Sequence, residues 1–157
     1  MAQPSKEQWA EIAEQLDKMH DPVFLQCDGY IVYATLRRVT TNKLAITVAV
    51  NGWEFKGEWL PSFGSEKREM SEEARRFWMP KKKAKYSKKN LKLLEKLHGK
   101  RACRRRGYYD PYVWPMPVWN RPMPFIRHIK KHNESIEVLD YETYKTEVAK
   151  LKESDSE

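Results

Sequence analysis

Between Pro80 and Arg106 the chain carries thirteen Lys and Arg against one acidic residue, Glu95. That segment holds a net +12 in a protein whose formal total is +8, so everything else sums to −4. Cations at this density repel one another unless phosphates or carboxylates lie against them, and a polyanionic partner is the expectation. Lys81, Lys82, Lys83, Lys85, Lys88, Lys89, Lys92, Arg101, Arg104, Arg105 and Arg106 are the candidate contacts to a nucleic-acid backbone or another partner. Tyr108, Tyr109, Tyr112 and Trp114 follow at once and are candidates to stack on bases, although Tyr and Trp rings serve more commonly as packing. No helix-turn-helix, zinc finger or RNA-recognition motif is legible, so base-specific reading is not expected.

A catalytic alternative rests on three residues. Asp28 at a turn and Glu54-Phe-Lys56 on a later strand resemble the acidic residue and Glu-x-Lys triplet of the PD-(D/E)xK nucleases. Two such carboxylates would hold a Mg²⁺ ion, and the lysine would stabilise the pentavalent phosphate. The preceding proline-acid element of that family is absent, and Glu-x-Lys-x-Glu on the wet face of an amphipathic strand gives the same triplet. His128 and His132 are spaced to share a metal on a helix but have no third ligand nearby and read as surface histidines. Cys103 lies between basic clusters, where its thiol should be acidified and reactive, while Cys27 and Cys103 in a non-secreted chain are expected to stay free. Glycine-rich phosphate loops, serine elbows and zinc-spaced cysteine pairs are missing. The expectation is a protein that is not an enzyme and uses no cofactor or metal.

The elements that must carry these residues follow from periodicity. The 157 residues suit one domain, and 40% hydrophobic content with six Trp and eight Tyr suffices for a core. No window approaches the roughly 18 apolar residues of a membrane span, so a cytoplasmic protein with no membrane partner is expected. Ser5 and Gln8 match a capping box, and Trp9, Ile12, Ala13, Leu16 and Met19 make one apolar stripe on a helix over 5–19, stopped by Asp21-Pro22. From Val23 to Leu60, β-rich runs alternate with Asp28-Gly29, Thr40-Thr41-Asn42 and Asn51-Gly52, predicting strands Val23 to Cys27, Tyr30 to Val39, Leu44 to Val50 and Trp53 to Leu60. The apolar face of this meander calls for the N-terminal helix as its cover.

Pro61, Gly64 and Ser65 mark a loop, and Lys67 to Met79 reads as a polar helix closed by Pro80. Ser87 caps a helix that docks Leu91, Leu94 and Leu97 and ends at Gly99, flanked by flexible clusters at Lys81 to Lys85 and Arg101 to Arg106. In Gly107 to Pro124, Tyr and Trp interleave with Pro111, Pro115, Pro117, Pro122 and Pro124, which predicts an extended strip lying across another surface. Phe125 to His132 suggests a short helix, Ser135 to Leu139 a last strand at the meander edge, and Tyr141 to Leu151 a terminal helix. The segments are thus 1–79, a basic 80–106 and 107–157 within one domain. The fold class expected is α+β, an antiparallel meander of four or five strands under an N-terminal helix with a basic helical and extended extension.

Gln8-Trp9-Ala-Glu-Ile12, the Cys27-Asp28-Gly29-Tyr30 turn, Val50-Asn-Gly-Trp-Glu-Phe-Lys-Gly-Glu-Trp59, the lysine-rich middle and Ser135-Ile-Glu-Val138 resemble small uncharacterised proteins of phages and conjugative elements. The likeness rests on order and character, with no catalytic signature. It implies an accessory protein of a mobile element that binds host machinery stoichiometrically, in the manner of anti-CRISPR and other anti-defence proteins. The partner implied is nucleic acid or a host nucleoprotein complex such as a CRISPR effector.

Overall fold

The computed structural model describes residues 3–62 and 67–155; Gly64 and Ser65 of the expected loop lie outside the described residues. By its contacts the chain divides into two units, Met1–Met79 with Pro115–Glu157, and Pro80–Trp114. The fold is α+β, with an N-terminal helix packed on an antiparallel sheet.

In the larger unit, α1 (Lys6–Leu16) begins with the expected reciprocal cap. Ser5 Oγ accepts from the Gln8 N–H at 3.2 Å, and the Ser5 N–H donates to Gln8 Oε1 at 2.8 Å. The helix ends three residues earlier than its apolar stripe suggests, with Asp17 as C-cap, so Met19 lies beyond it and is exposed. The strands β1 (Val23–Cys27), β2 (Tyr30–Thr40) and β3 (Lys43–Val50) form an antiparallel meander. Asp28 at φ +48° and Gly29 at φ +98° make the β1–β2 turn, the left-handed geometry that a two-residue hairpin requires.

The fourth strand is not Trp53 to Leu60. A hairpin starts there, since Val50 and Trp53 exchange backbone hydrogen bonds of 2.9 and 3.0 Å, but it goes no further. Phe55 instead stacks on Trp78 with ring centroids 5.7 Å apart, and Trp59, at the end of a 3₁₀ turn (Gly57–Trp59), meets Trp78 edge-on at 5.4 Å. Ring packing against buried Trp78 outcompetes further ladder bonds. The place beside β3 goes to β6 (Val118–Trp119), with Ile46 opposite Trp119 and Thr47 opposite Val118. On the other edge β7 (Ile136–Val138) pairs with β1, as the pattern of 135–139 predicts, giving the sheet order β6-β3-β2-β1-β7.

Alternation along β1 separates the two faces. Val23, Leu25 and Cys27 join a core with Trp9, Ile12 and Leu16 of α1, Ala74 and Phe77 of α2 (Glu72–Phe77), and Phe125, Ile126 and Ile129 of α5 (Pro122–His132). Phe24 and Tyr33 point the other way, to Tyr141 and Tyr144 of α6 (Tyr141–Asp155), at 4.7 to 5.9 Å between centroids. Fully burying each large aliphatic or Phe contributes about 1.5–3 kcal/mol. The polar helix expected over Lys67 to Met79 shrinks to the six residues of α2, capped by Ser71. Arg68 is instead drawn to the carbonyls of Gly57 and Leu60. Pro122 and Pro124 open α5, where a proline's missing N–H costs nothing, so that helix starts before the expected Phe125.

The smaller unit contains α3 (Lys88–His98) and α4 (Lys100–Arg105), and it takes in most of β4 (Met79–Lys83) and β5 (Tyr112–Met116), which pair as a two-stranded sheet. Ser87 caps α3 as expected, its Oγ accepting from the Asn90 N–H. Two expectations fail. Lys81–Lys83 and Arg101–Arg105 lie in a strand and a helix rather than in flexible clusters, and Leu97 is 76% exposed rather than docked, leaving Leu91 and Leu94 half-buried. Among the described residues, Cys103 is the one side chain of 80–114 that is buried.

Candidate nucleic-acid interface

Residues 80–114 carry thirteen cations against Glu95 and Asp110, a net +11, and the remainder of the chain therefore carries −3. Lys81 and Lys82 stand exposed on β4, Lys85 follows it, Lys88, Lys89 and Lys92 line α3, and Arg101, Arg104 and Arg105 line α4 with Arg106 as its C-cap, all exposed. Lys83 is half-buried, its ammonium 5.8 Å above the Trp114 ring. Gly107, at φ +73°, ends α4 with the Tyr108 N–H on the Cys103 carbonyl at 3.0 Å, and the Lys85 ammonium donates to the Gly107 carbonyl at 3.3 Å.

Among the described residues none of these cations has a carboxylate within ion-pairing distance, and every ion pair lies in the larger unit. Glu95, the one acid of the basic segment, is engaged differently. The Tyr109 hydroxyl donates to Glu95 Oε1 at 2.7 Å, a bond that pushes the phenol pKa up to about 12. The first turn of α3 adds Lys88 and Lys89 to the positive end of the helix dipole, a place that favours anions. Lys96 and Lys100 are exposed on the same helices and extend the candidate set, a signal already present in the local charge count.

The rings serve the unit's own packing in part. Tyr108 meets Tyr86 edge-on at 5.4 Å and His98 at 6.4 Å, and its hydroxyl accepts from Arg106 at 3.4 Å. Tyr112 and Trp114 are half-buried on β5, and Tyr109, 38% exposed, is the most open of the four. The chemistry offered is therefore unpaired charge rather than a row of free stacking platforms.

The nuclease-like triplet does not assemble. The Asp28 carboxylate accepts from the backbone N–H groups of Glu134 and Ser135, each at 2.8 Å, and from Arg76 at 3.0 Å, and these bonds, Glu134 first, hold its pKa below the usual value. Glu54 accepts from Arg37 at 2.7 Å, and Lys56 lies 3.9 Å from Glu58 and over the Trp53 ring. With no strand over 54–60, Glu54 and Lys56 share no strand face, and Arg37 is seven residues along β2 from the Asp28 turn, about 23 Å at the usual rise. Asp28 is a clasp, and Arg76 is the residue the sequence hid. It bonds Asp28, Glu72 and Asn133 and lies over the Tyr30 ring; only its pairing with Glu72 at i, i+4 was visible beforehand.

Cys103 is fully buried, which removes the expected reactivity, and burial pushes the Cys27 thiol up to about 12. His128 and His132 are in ring contact at 4.2 Å, with His128 Nε2 2.8 Å from the Arg75 carbonyl; burial above all lowers both pKa values. Among the described residues no group of three or more His, Cys, Asp or Glu is arranged to hold a metal, and no helix is long and apolar enough to cross a membrane. No model of a known protein family, no curated protein sequence and no solved structure matches this chain.

Proposed function

We propose that this chain is a non-catalytic, cytoplasmic accessory protein of a mobile genetic element that binds nucleic acid or a host nucleoprotein complex through residues 80–114, blocking a host defence system of the CRISPR type. The observation that carries the binding is the set of thirteen cations with no carboxylate partner among the described residues, on regular elements, in a unit of net +11. Forming these elements holds the cations together at a repulsive cost that phosphates would offset. The defence role rests on the resemblance in sequence to mobile-element proteins.

Fluorescence anisotropy with a labelled DNA duplex and a single-stranded RNA tests it. With six to ten phosphate contacts, affinity should fall by about 10³ to 10⁵ between 50 and 200 mM salt. Replacing Lys81, Lys82, Lys83, Arg104, Arg105 and Arg106 by Ala should reduce the slope of log K against log salt by about 5. Absence of binding at low salt, or binding indifferent to the six substitutions, would sink the reading. Retention of a defined host complex from nuclease-treated lysate, lost with the same substitutions, would identify the defence target.

A further inference from the structure

The helix α3 exposes more than charge. At roughly 100° per residue, Leu91, Leu93, Leu94 and Leu97 occupy one side and Lys88, Lys89, Lys92 and Lys96 the other. Leu91 and Leu94 are half-buried, whereas Leu93 is 51% exposed and Leu97 76%. Being four residues apart they lie one turn above the other and form a single apolar step, bordered by Lys89 and Lys96 on the helical projection. Together they are the two most water-exposed leucines of a helix in which no side chain is buried.

Charge and chemistry limit what covers this step. A phosphate backbone satisfies the lysines but gives the leucines nothing to displace water with. A second copy presenting the same face would set +11 against +11. An acidic protein surface with an apolar stripe satisfies both, in the helix-in-groove mode that reads anchors at i and i+4 with complementary charge on the rim.

On the reading that the basic unit engages a nucleoprotein complex, we propose that α3 docks on the protein component of that complex. Leu93 and Leu97 enter an apolar groove, and Lys89, Lys92 and Lys96 face its carboxylates. The remaining cations on β4 and α4 stay available for nucleic acid.

The test uses the full chain and two labelled helical peptides rich in Glu, one with Leu at heptad a and d positions and one with Ser there. Leu93→Ser with Leu97→Ser should weaken binding of the Leu peptide about tenfold or more, which corresponds to about 1.4 kcal/mol, and leave duplex DNA binding unchanged. Both positions are exposed, and an unchanged circular dichroism spectrum verifies the fold. Substituting Lys89, Lys92 and Lys96 by Ala should weaken the Leu peptide more than duplex DNA, which keeps the cations of β4 and α4. Equal affinity for the Leu and Ser peptides, or no effect of the Leu substitutions, would overturn the proposal. So would leucine-dependent binding to phosphatidylserine vesicles without binding to the peptide, because the face would then suit a lipid surface. Failure of DNA binding with success on the peptide would remove the nucleic-acid reading while leaving this one standing.

Discussion

The two units of this molecule solve opposite problems. The larger one buries Leu16, Leu25, Phe77, Phe125 and Ile129 completely and neutralises exposed carboxylates with Arg37, Arg76 and other cations. Residues 80–114 bury one side chain, Cys103, and among the described residues none of their thirteen cations meets a carboxylate. In the first, apolar burial offsets chain entropy; in the second, local caps and short ladders hold a charge density that opposes them. Apolar burial and concentrated positive charge are thus placed in different parts of one chain.

The contrast can be broken by truncating leucines in each part. Leu25→Ala, at a position with no exposure, should cost about 2–5 kcal/mol in urea unfolding, whereas Leu97→Ala, at 76% exposure, should change stability by about 0.5 kcal/mol or less. Comparable losses would show that both units depend on the same core. The clasp at the end of the sheet gives the next largest effect. Asp28→Ala removes acceptors from two backbone N–H groups and Arg76, and should cost about 1.5–3 kcal/mol, with Asn recovering part of it.

Salt sharpens the comparison from the other side. Raising ionic strength screens the repulsion in 80–114, so amides of α3 and α4 should exchange more slowly at high salt, while those of β1 to β3 hardly change. Equal responses would mean that charge does not set the order of the basic unit. The smallest effect concerns pH. Because burial lowers the folded pKa of His128 and His132, the unfolded chain takes up their protons first, and stability should fall as pH drops below the unfolded value of about 6.5 toward the folded ones. Replacing both with Gln should flatten thermal stability across that window, and an unchanged slope would assign it to other groups.

Much of the fold was legible because its signals are local. The Ser5 capping box, the turns Asp28-Gly29 and Asn51-Gly52, the strand alternation of 23–50 and the apolar spacing of Phe125, Ile126 and Ile129 each act within a few residues. The candidate interface was legible for the same reason, since a run of like charges is visible without knowing what lies beside it. Trp53 to Leu60 misled because its alternation suits a strand, while the partner that diverts it, Trp78, lies far along the chain. Burial of Cys103 and exposure of Leu97 were equally hidden: both depend on which side of a short helix meets other atoms.

By itself, then, the amino-acid order determined the α+β class, the meander, most helices and the position of the charge, because hydrogen-bonding caps, turn dihedrals and electrostatic density are short-range properties. Tertiary structure decided that β6 rather than 53–60 flanks β3, that Asp28 clasps the chain through Arg76 instead of joining Glu54, and that Cys103 is buried while Leu93 and Leu97 stay open. Those outcomes depend on contacts between residues tens of positions apart, where packing and desolvation choose among locally equivalent arrangements.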